Sequence, residues 1–89
     1  MQIRFGREFV KHYNKVDKKI KTAFDKRLNL FLQNPFHLKL NNHSLRGKYF
    51  GKRSINVTGD WRAIFKEEIV GQNKMITFLL LGTHSQLYK

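Results

Sequence analysis

Ser54-Ile55-Asn56-Val57-Thr58-Gly59-Asp60-Trp61-Arg62-Ala63-Ile64-Phe65 is the stretch whose reading decides the fold. Ser54 to Val57 alternates polar and apolar residues, the period of a strand with one covered face. Thr58-Gly59-Asp60 are turn formers. Beyond them Trp61, Ala63 and Phe65 alternate against Arg62, Ile64 and Lys66, so a second strand over Trp61–Glu68 folds back on the first. Gly71-Gln72-Asn73 then predicts a hairpin turn. Met75 to Leu81 is apolar at every position but Thr77, which predicts a strand covered on both faces, in the middle of a sheet. Extending the first strand back to Tyr49 gives three strands in the last forty residues. Gly82 is expected to end the third, leaving Thr83–Lys89 as a short polar tail.

Upstream the period changes. Gln2-Ile3-Arg4-Phe5 alternates like a strand, and Gly6 breaks it. Arg7–Asn34 holds no Gly or Pro, and Phe9, Tyr13, Val16, Ile20, Phe24, Leu28 and Phe31 recur at spacings of three and four. That is one helical face, read as core packing. Its 28 residues predict two helices, a short one and a long one in antiparallel contact, broken near Asn14–Asp17. Asn34-Pro35 stops the second. Pro35–Lys48, with Asn41, Asn42, Ser44 and Gly47, reads as a loop. The order strand–helix–helix–strand–strand–strand predicts a small α+β fold, with two helices packed on one face of a mainly antiparallel sheet. No linker or repeat divides it, so residues 1–89 are read as one domain.

The chain has 18 Lys+Arg and 6 Asp+Glu, a formal net charge of +12 on 89 residues. With 40% hydrophobic and 13% aromatic residues it can build a core, so this charge is not that of a disordered tail. No apolar run reaches the ~18 residues of a membrane span, and no signal peptide is visible. Cys is absent, which excludes disulfides, thiolate metal sites and thiol nucleophiles. The acids stop at Asp25 and resume at Asp60, whereas Lys26, Arg27, Lys39, Arg46, Lys48, Lys52 and Arg53 lie between them. A one-sign block of this kind attracts a phosphate backbone. Phe36, Tyr49 and Phe50 are interleaved with it and suit stacking on unpaired bases, although Phe50 also reads as cover for a sheet edge.

Strand parity puts Ser54 and Asn56 on the face opposite Ile55 and Val57, and that polar face is the candidate working face. Around it the loop supplies His43, the first hairpin Arg53, Asn56, Asp60 and Arg62, and the tail His84 and Tyr88. RNA is cut without a metal when its own 2′-OH attacks the phosphate. The step needs a base, an acid, and cations where charge develops. Histidine, with an ordinary pKa near ~6.5, suits both proton steps, a carboxylate can orient it, and Arg matches phosphate with paired donors. The four His residues, at 12, 37, 43 and 84, include no pair at helical metal-ligand spacing, and no glycine-rich phosphate loop opens a helix.

The segment His43–Phe65 resembles the RelE/ParE superfamily of bacterial toxins, and Gly82-Thr83-His84-Ser85-Gln86-Leu87-Tyr88 is similar to the ending of its YafQ branch. The resemblance implies a toxin of a type II toxin–antitoxin system. Its activity would be that of a metal-independent, cofactor-free endoribonuclease that cuts mRNA on the ribosome. It implies a cytoplasmic bacterial protein, with no membrane partner, that is monomeric when free and forms a hetero-oligomer with its cognate antitoxin. Residue by residue, His43, Asp60 and His84 match catalytic positions of the branch. Tyr88 matches an aromatic that is usually Phe, and Asn56 stands where the branch has a further histidine. Arg62 matches an arginine that RelE-like members place on the scissile phosphate. Arg46, Lys48, Lys52, Arg53 and Asn56 are the expected contacts to RNA and ribosome. The alternative function is a ParE-like inhibitor of DNA gyrase without nuclease chemistry.

Overall fold

In the computed structural model, which describes residues 1–88, five strands form one sheet in the order β1-β5-β4-β3-β2. They are β1 (Gln2–Phe5), β2 (His43–Ser44), β3 (Arg53–Asn56), β4 (Trp61–Val70) and β5 (Asn73–Thr83), and the helices are α1 (Arg7–Lys15), α2 (Lys18–Gln33) and α3 (His84–Leu87). β1 runs parallel to β5, and every other neighbouring pair is antiparallel. The expected α+β fold with a mainly antiparallel sheet is therefore present, with one more strand and one more helix. Lys89, expected in the polar tail, lies outside the described residues.

The long apolar stripe divides where its capping chemistry demands. Val16 and Asp17 are extended, and the Asp17 carboxylate accepts the Ile20 N–H at 3.0 Å, starting α2. Asn34 is extended before Pro35 and ends it. α1 and α2 meet through Phe9, Tyr13 and Phe24, with the Phe9 and Phe24 ring centroids 5.0 Å apart. The Tyr13 hydroxyl donates to the Asp25 carboxylate at 2.9 Å. Burial, and then the carboxylate, raise the Tyr13 phenol above its ordinary pKa.

The core lies between these helices and one face of the sheet, where Phe9, Phe24 and Phe31 meet Ile55, Val57, Ala63, Phe65, Ile76, Phe78 and Leu81. The Phe78 ring has its centroid 5.3–6.0 Å from those of five other phenylalanines. β1 ends at Phe5, opposite Phe78, so the β5 edge has no strand beside it further on. α1 covers that edge, and His12 Nδ1 accepts the Leu81 N–H at 3.1 Å, satisfying a backbone donor that would otherwise be buried unpaired.

Four sequence expectations are corrected. The loop over 35–48 contains β2, which pairs His43 with Ser54 and Ser44 with Arg53. The strand expected from Tyr49 begins at Arg53, because Gly47–Tyr49 closes a tight turn through the Phe50 N–H to Gly47 carbonyl and Lys52 N–H to Tyr49 carbonyl bonds. β4 runs on past Glu68 to Val70, and the hairpin turn is Gly71-Gln72, with its positive φ of 63° on the glycine. β5 passes through Gly82 to Thr83, and the tail is helical. Thr83 and Gln86 exchange side-chain and backbone hydrogen bonds at 3.2 and 2.9 Å, a capping box that starts α3. No helix of the described residues is long and apolar enough to cross a membrane.

His12→Ala should lower the unfolding free energy by about 1–3 kcal/mol, the cost of stranding a buried backbone donor, and Phe78→Ala by about 3–5 kcal/mol. Urea unfolding of the two variants checks both values. An unchanged midpoint in His12→Ala would show that the Leu81 N–H has another partner.

Candidate functional site

The face of the sheet away from α1 and α2 carries two cross-strand rows. His43, Ser54, Ile64 and Leu80 form one, and Asn56, Arg62 and Gly82 the other. Parity thus puts Ser54 and Asn56 on the expected side, with Ile55 and Val57 in the main core.

α3 seats on this face because Gly82 has no side chain. A Cβ there would stand 3.1 Å from Gln86 Oε1 and 3.2 Å from Leu87 Cδ2, inside ordinary contact. Leu87 instead buries against Leu45 and Ile64, a second small core on the working side. The Tyr49 hydroxyl donates to the Leu87 carbonyl at 2.7 Å, and its ring meets Tyr88 edge-on at 5.7 Å. At the other end of α3 the His84 N–H donates to the Asp60 carbonyl at 2.9 Å. α3 is therefore latched to β3–β4 at one end and to the 47–49 turn at the other.

These attachments leave a pocket of about 350 Å³ lined by Asn41, His43, Leu45, Arg62, His84 and Tyr88. The His84 and Tyr88 ring centroids are 4.7 Å apart. His43 Nδ1 lies 2.8 Å from the Asn41 carbonyl. A carbonyl only accepts, so Nδ1 carries a proton in this bond, and in the neutral ring the lone pair is then on Nε2. Asn41 adopts the left-handed conformation, φ 47°, that Asn tolerates. Arg62 Nη1 donates to the carbonyls of Thr58, Gly59 and Trp61 at 3.0–3.1 Å, which fixes the guanidinium on the β3–β4 loop.

The structure thus brings together His43, Arg62, His84 and Tyr88. Asp60 adjoins them by its backbone, but its carboxylate does not line the pocket and makes no hydrogen bond among the described residues. Asn56 lies across from Arg62, and its buried Oδ1, like Ser54 Oγ, has no hydrogen-bond partner among the described residues. Arg46, Lys52 and Arg53 line a separate cleft of about 400 Å³ at the sheet edge. Arg53 shares the helix face with Phe65, donates to Asn42 Oδ1 at 2.8 Å and lies 5.5 Å over the Phe36 ring, so it does not join the working face. Lys48 Nζ stands over the Tyr49 ring at 5.1 Å. Phe50, expected to cover an edge, is exposed because it caps the tight turn that replaces the start of the strand. Among the described residues no three His, Asp or Glu side chains converge as metal ligands do.

Sequence reading missed the latch by Tyr49, the orienting carbonyl of Asn41 and the orphaned Ser54 hydroxyl. None of these three has a local sequence signal; only the start of α3 does, in the capping-box spacing Thr83-x-x-Gln86.

The family model described as "Bacterial toxin of type II toxin-antitoxin system, YafQ" matches residues 1–89. The chain belongs to the YafQ family. Among solved structures, YafQ from E. coli strain BL21(DE3) is similar to this toxin at 22% identity and a TM-score of 0.79, over 99% of this chain and 98% of that one. The E. coli DinJ-YafQ toxin-antitoxin complex is similar at 23% identity and 0.75, over 99% and 97%. A YoeB/ParE toxin from Agrobacterium tumefaciens is similar at 15% and 0.75, over 94% and 99%. No curated protein sequence matches the chain. At these identities the structural likenesses establish the fold. Within this YafQ-family toxin the pocket stands at the C-terminal end of β5, where α3 begins.

Tyr49→Phe keeps the ring and removes the bond to Leu87. That bond contributes about 0.5–1.5 kcal/mol, so amide exchange of His84 and Tyr88 should speed up by roughly 2- to 12-fold while the β4–β5 amides keep their protection. Equal exchange at Tyr88 in both proteins would show that the hydroxyl does not hold α3.

Proposed function

We propose that this toxin is a metal-independent endoribonuclease that cuts mRNA on the ribosome. The observation that carries the proposal is the single pocket in which two imidazoles, an arginine and a tyrosine meet. His43, held by its Nδ1–H on Asn41, takes the 2′-OH proton at Nε2. The freed 2′ oxygen attacks the phosphorus, the bond to the 5′ oxygen breaks, and protonated His84 gives its proton to that leaving oxygen. The products are a 2′,3′-cyclic phosphate and a 5′-hydroxyl. Arg62, anchored by Nη1, turns its other N–H groups to the phosphate as negative charge develops. Tyr88 stacks on the nucleotide beside the scissile bond.

Asp60, matched by resemblance to a catalytic position, acts in this reading as a positioning residue. Its carboxylate stands off the pocket, so its role is to position His84 through the β3–β4 loop. Asn56 cannot transfer a proton at neutral pH. Its orphaned Oδ1 offers an acceptor to a ribose hydroxyl or a bridging water. Arg46, Lys48 and Lys52, together with Arg53 at the edge, contact the phosphate backbone.

The partner in the resting state is an antitoxin, as in the neighbouring DinJ-YafQ complex. A segment with acidic and apolar side chains, folding on binding, suits a +12 surface. Action on ribosomes implies residence in the bacterial cytoplasm.

General acid–base groups contribute about 10²–10⁴-fold. His43→Ala and His84→Ala should each slow single-turnover cleavage of ribosome-bound mRNA by about that factor, with ribosome binding nearly unchanged. Cleavage should leave a cyclic phosphate end and survive chelation once the ribosome's own magnesium is controlled for. Wild-type rates in His84→Ala would remove His84 from the chemistry. A wild type that cuts no mRNA but blocks gyrase supercoiling would replace this reading with the ParE-like one.

A further inference from the structure

A basic groove lies on the helix side of the sheet, away from the pocket. The groove, of about 650 Å³, runs between α2 and the β3–β4 loop, with Lys18, Lys19, Lys26 and Arg27 on the helix wall and Val57 and Thr58 opposite. On α2 the lysines Lys18 and Lys26 are eight residues apart, about 12 Å of helix at ~1.5 Å per residue. Thus the cations form a stripe along the helix and not a point.

Among the described residues none of the four cations forms an ion pair. The ion pairs among the described residues join Lys11 to Glu8, Lys66 to Glu68 and Lys74 to Glu67. The two acids closest in sequence, Asp17 capping α2 and Asp25 accepting the Tyr13 hydroxyl, leave the four cations in excess by charge. No aromatic ring lines the groove. The pocket on the working face differs in this respect, since it is walled by His43, His84 and Tyr88. Unpaired bases are held by stacking on rings, whereas a duplex is held through phosphates and ribose hydroxyls, by charge and shape. A cationic, ring-free groove has the second chemistry.

We infer that the α2 groove is a binding site for the phosphate backbone of double-helical RNA, separate from the pocket that takes the single strand. This inference rests on the RNA-directed reading of the protein and adds a second RNA site to it. The β3–β4 loop links the two sites. Thr58 lines the groove while its carbonyl holds Arg62 Nη1 at 3.0 Å. An RNA helix seated on α2 therefore lies one loop away from the arginine of the pocket, and the folded RNA of a large complex would orient the pocket toward the strand it takes.

The test uses the full chain and an RNA duplex of about 16 base pairs, with binding measured by anisotropy at several salt concentrations. The variant K18A/K19A/K26A/R27A should lower the slope of log affinity against log salt by about four. Between about 50 and 200 mM salt, the wild type should lose roughly 10²-fold more affinity than the variant. Arg27 also donates to the Lys39 carbonyl, so K18A/K19A/K26A, which keeps that bond, is measured alongside, with an expected slope change of about three. A control with the same change in charge, R4A/K11A/K66A/K74A, should keep nearly the wild-type slope. Wild-type binding by the groove variants overturns the inference, and so does an equal loss in the control, which would show a general effect of net charge. A DNA duplex bound as tightly and through the same residues would overturn the assignment to RNA. Duplex binding is read without cleavage. If the wild type cuts no mRNA yet the groove variants alone lose the duplex, the nuclease reading fails and the groove stands.

Discussion

Everything at the working face depends on one irregularity in the β4–β5 ladder. Between Ile64 and Phe65 the register shifts, so that Phe65 pairs with Phe78 while Ile64 pairs with Leu80, and Leu79 is the extra residue. A strand alternates its faces with period two, and one inserted residue reverses the assignment beyond it. Ile76 and Phe78 therefore face the helices before the bulge, and Leu81 does so after it. Leu80 and Gly82 fall on the opposite face, in the rows of Ile64 and Arg62. Without the bulge Gly82 would face the main core, and the close approach of α3 to the working face would be lost.

The consequences run outward from that point. Gly82 beneath α3 admits Leu87, whose burial on Leu45 and Ile64 makes a second small core. Tyr49 and Asp60 tie the two ends of α3, and these ties set His84 and Tyr88 beside Arg62. A helix of four residues has little stability of its own. Its geometry is supplied by neighbours far away in sequence: Tyr49 reaches Leu87 across 38 positions. The placement of the candidate histidine is thus a property of the sheet and its second core. The helix alone does not determine it.

The charge is distributed in a way that accords with two kinds of contact. Rings and imidazoles collect on the working face, whereas the ring-free lysine stripe lies along α2. Arg53 belongs to neither, since it packs over Phe36 and binds Asn42. A net charge is legible in a sequence, but its division among surfaces follows from strand parity and helix phase.

By itself the sequence determined the elements with a clear period and a clear stop. The alternation at Ser54–Phe65, the three- and four-residue stripe from Phe9 to Phe31 and the stops at Gly6, Asp17 and Asn34-Pro35 are local signals, and local geometry obeys them. It also made His43, His84, Arg62 and Tyr88 legible as candidates, through residue type and the likeness of their segments to a toxin family. Three features were decided only by tertiary structure. β2 is two residues long, too short to show a period, and exists because β3 offers an open edge. The bulge is hidden because Leu79, Leu80 and Leu81 are alike, so an apolar run carries no mark of which residue changes face. The places of Asp60 and Arg53 relative to the pocket depend on which way a loop and an edge residue turn once the sheet has formed. Residue type names the chemistry available, but only the pairing of strands decides which groups share a face.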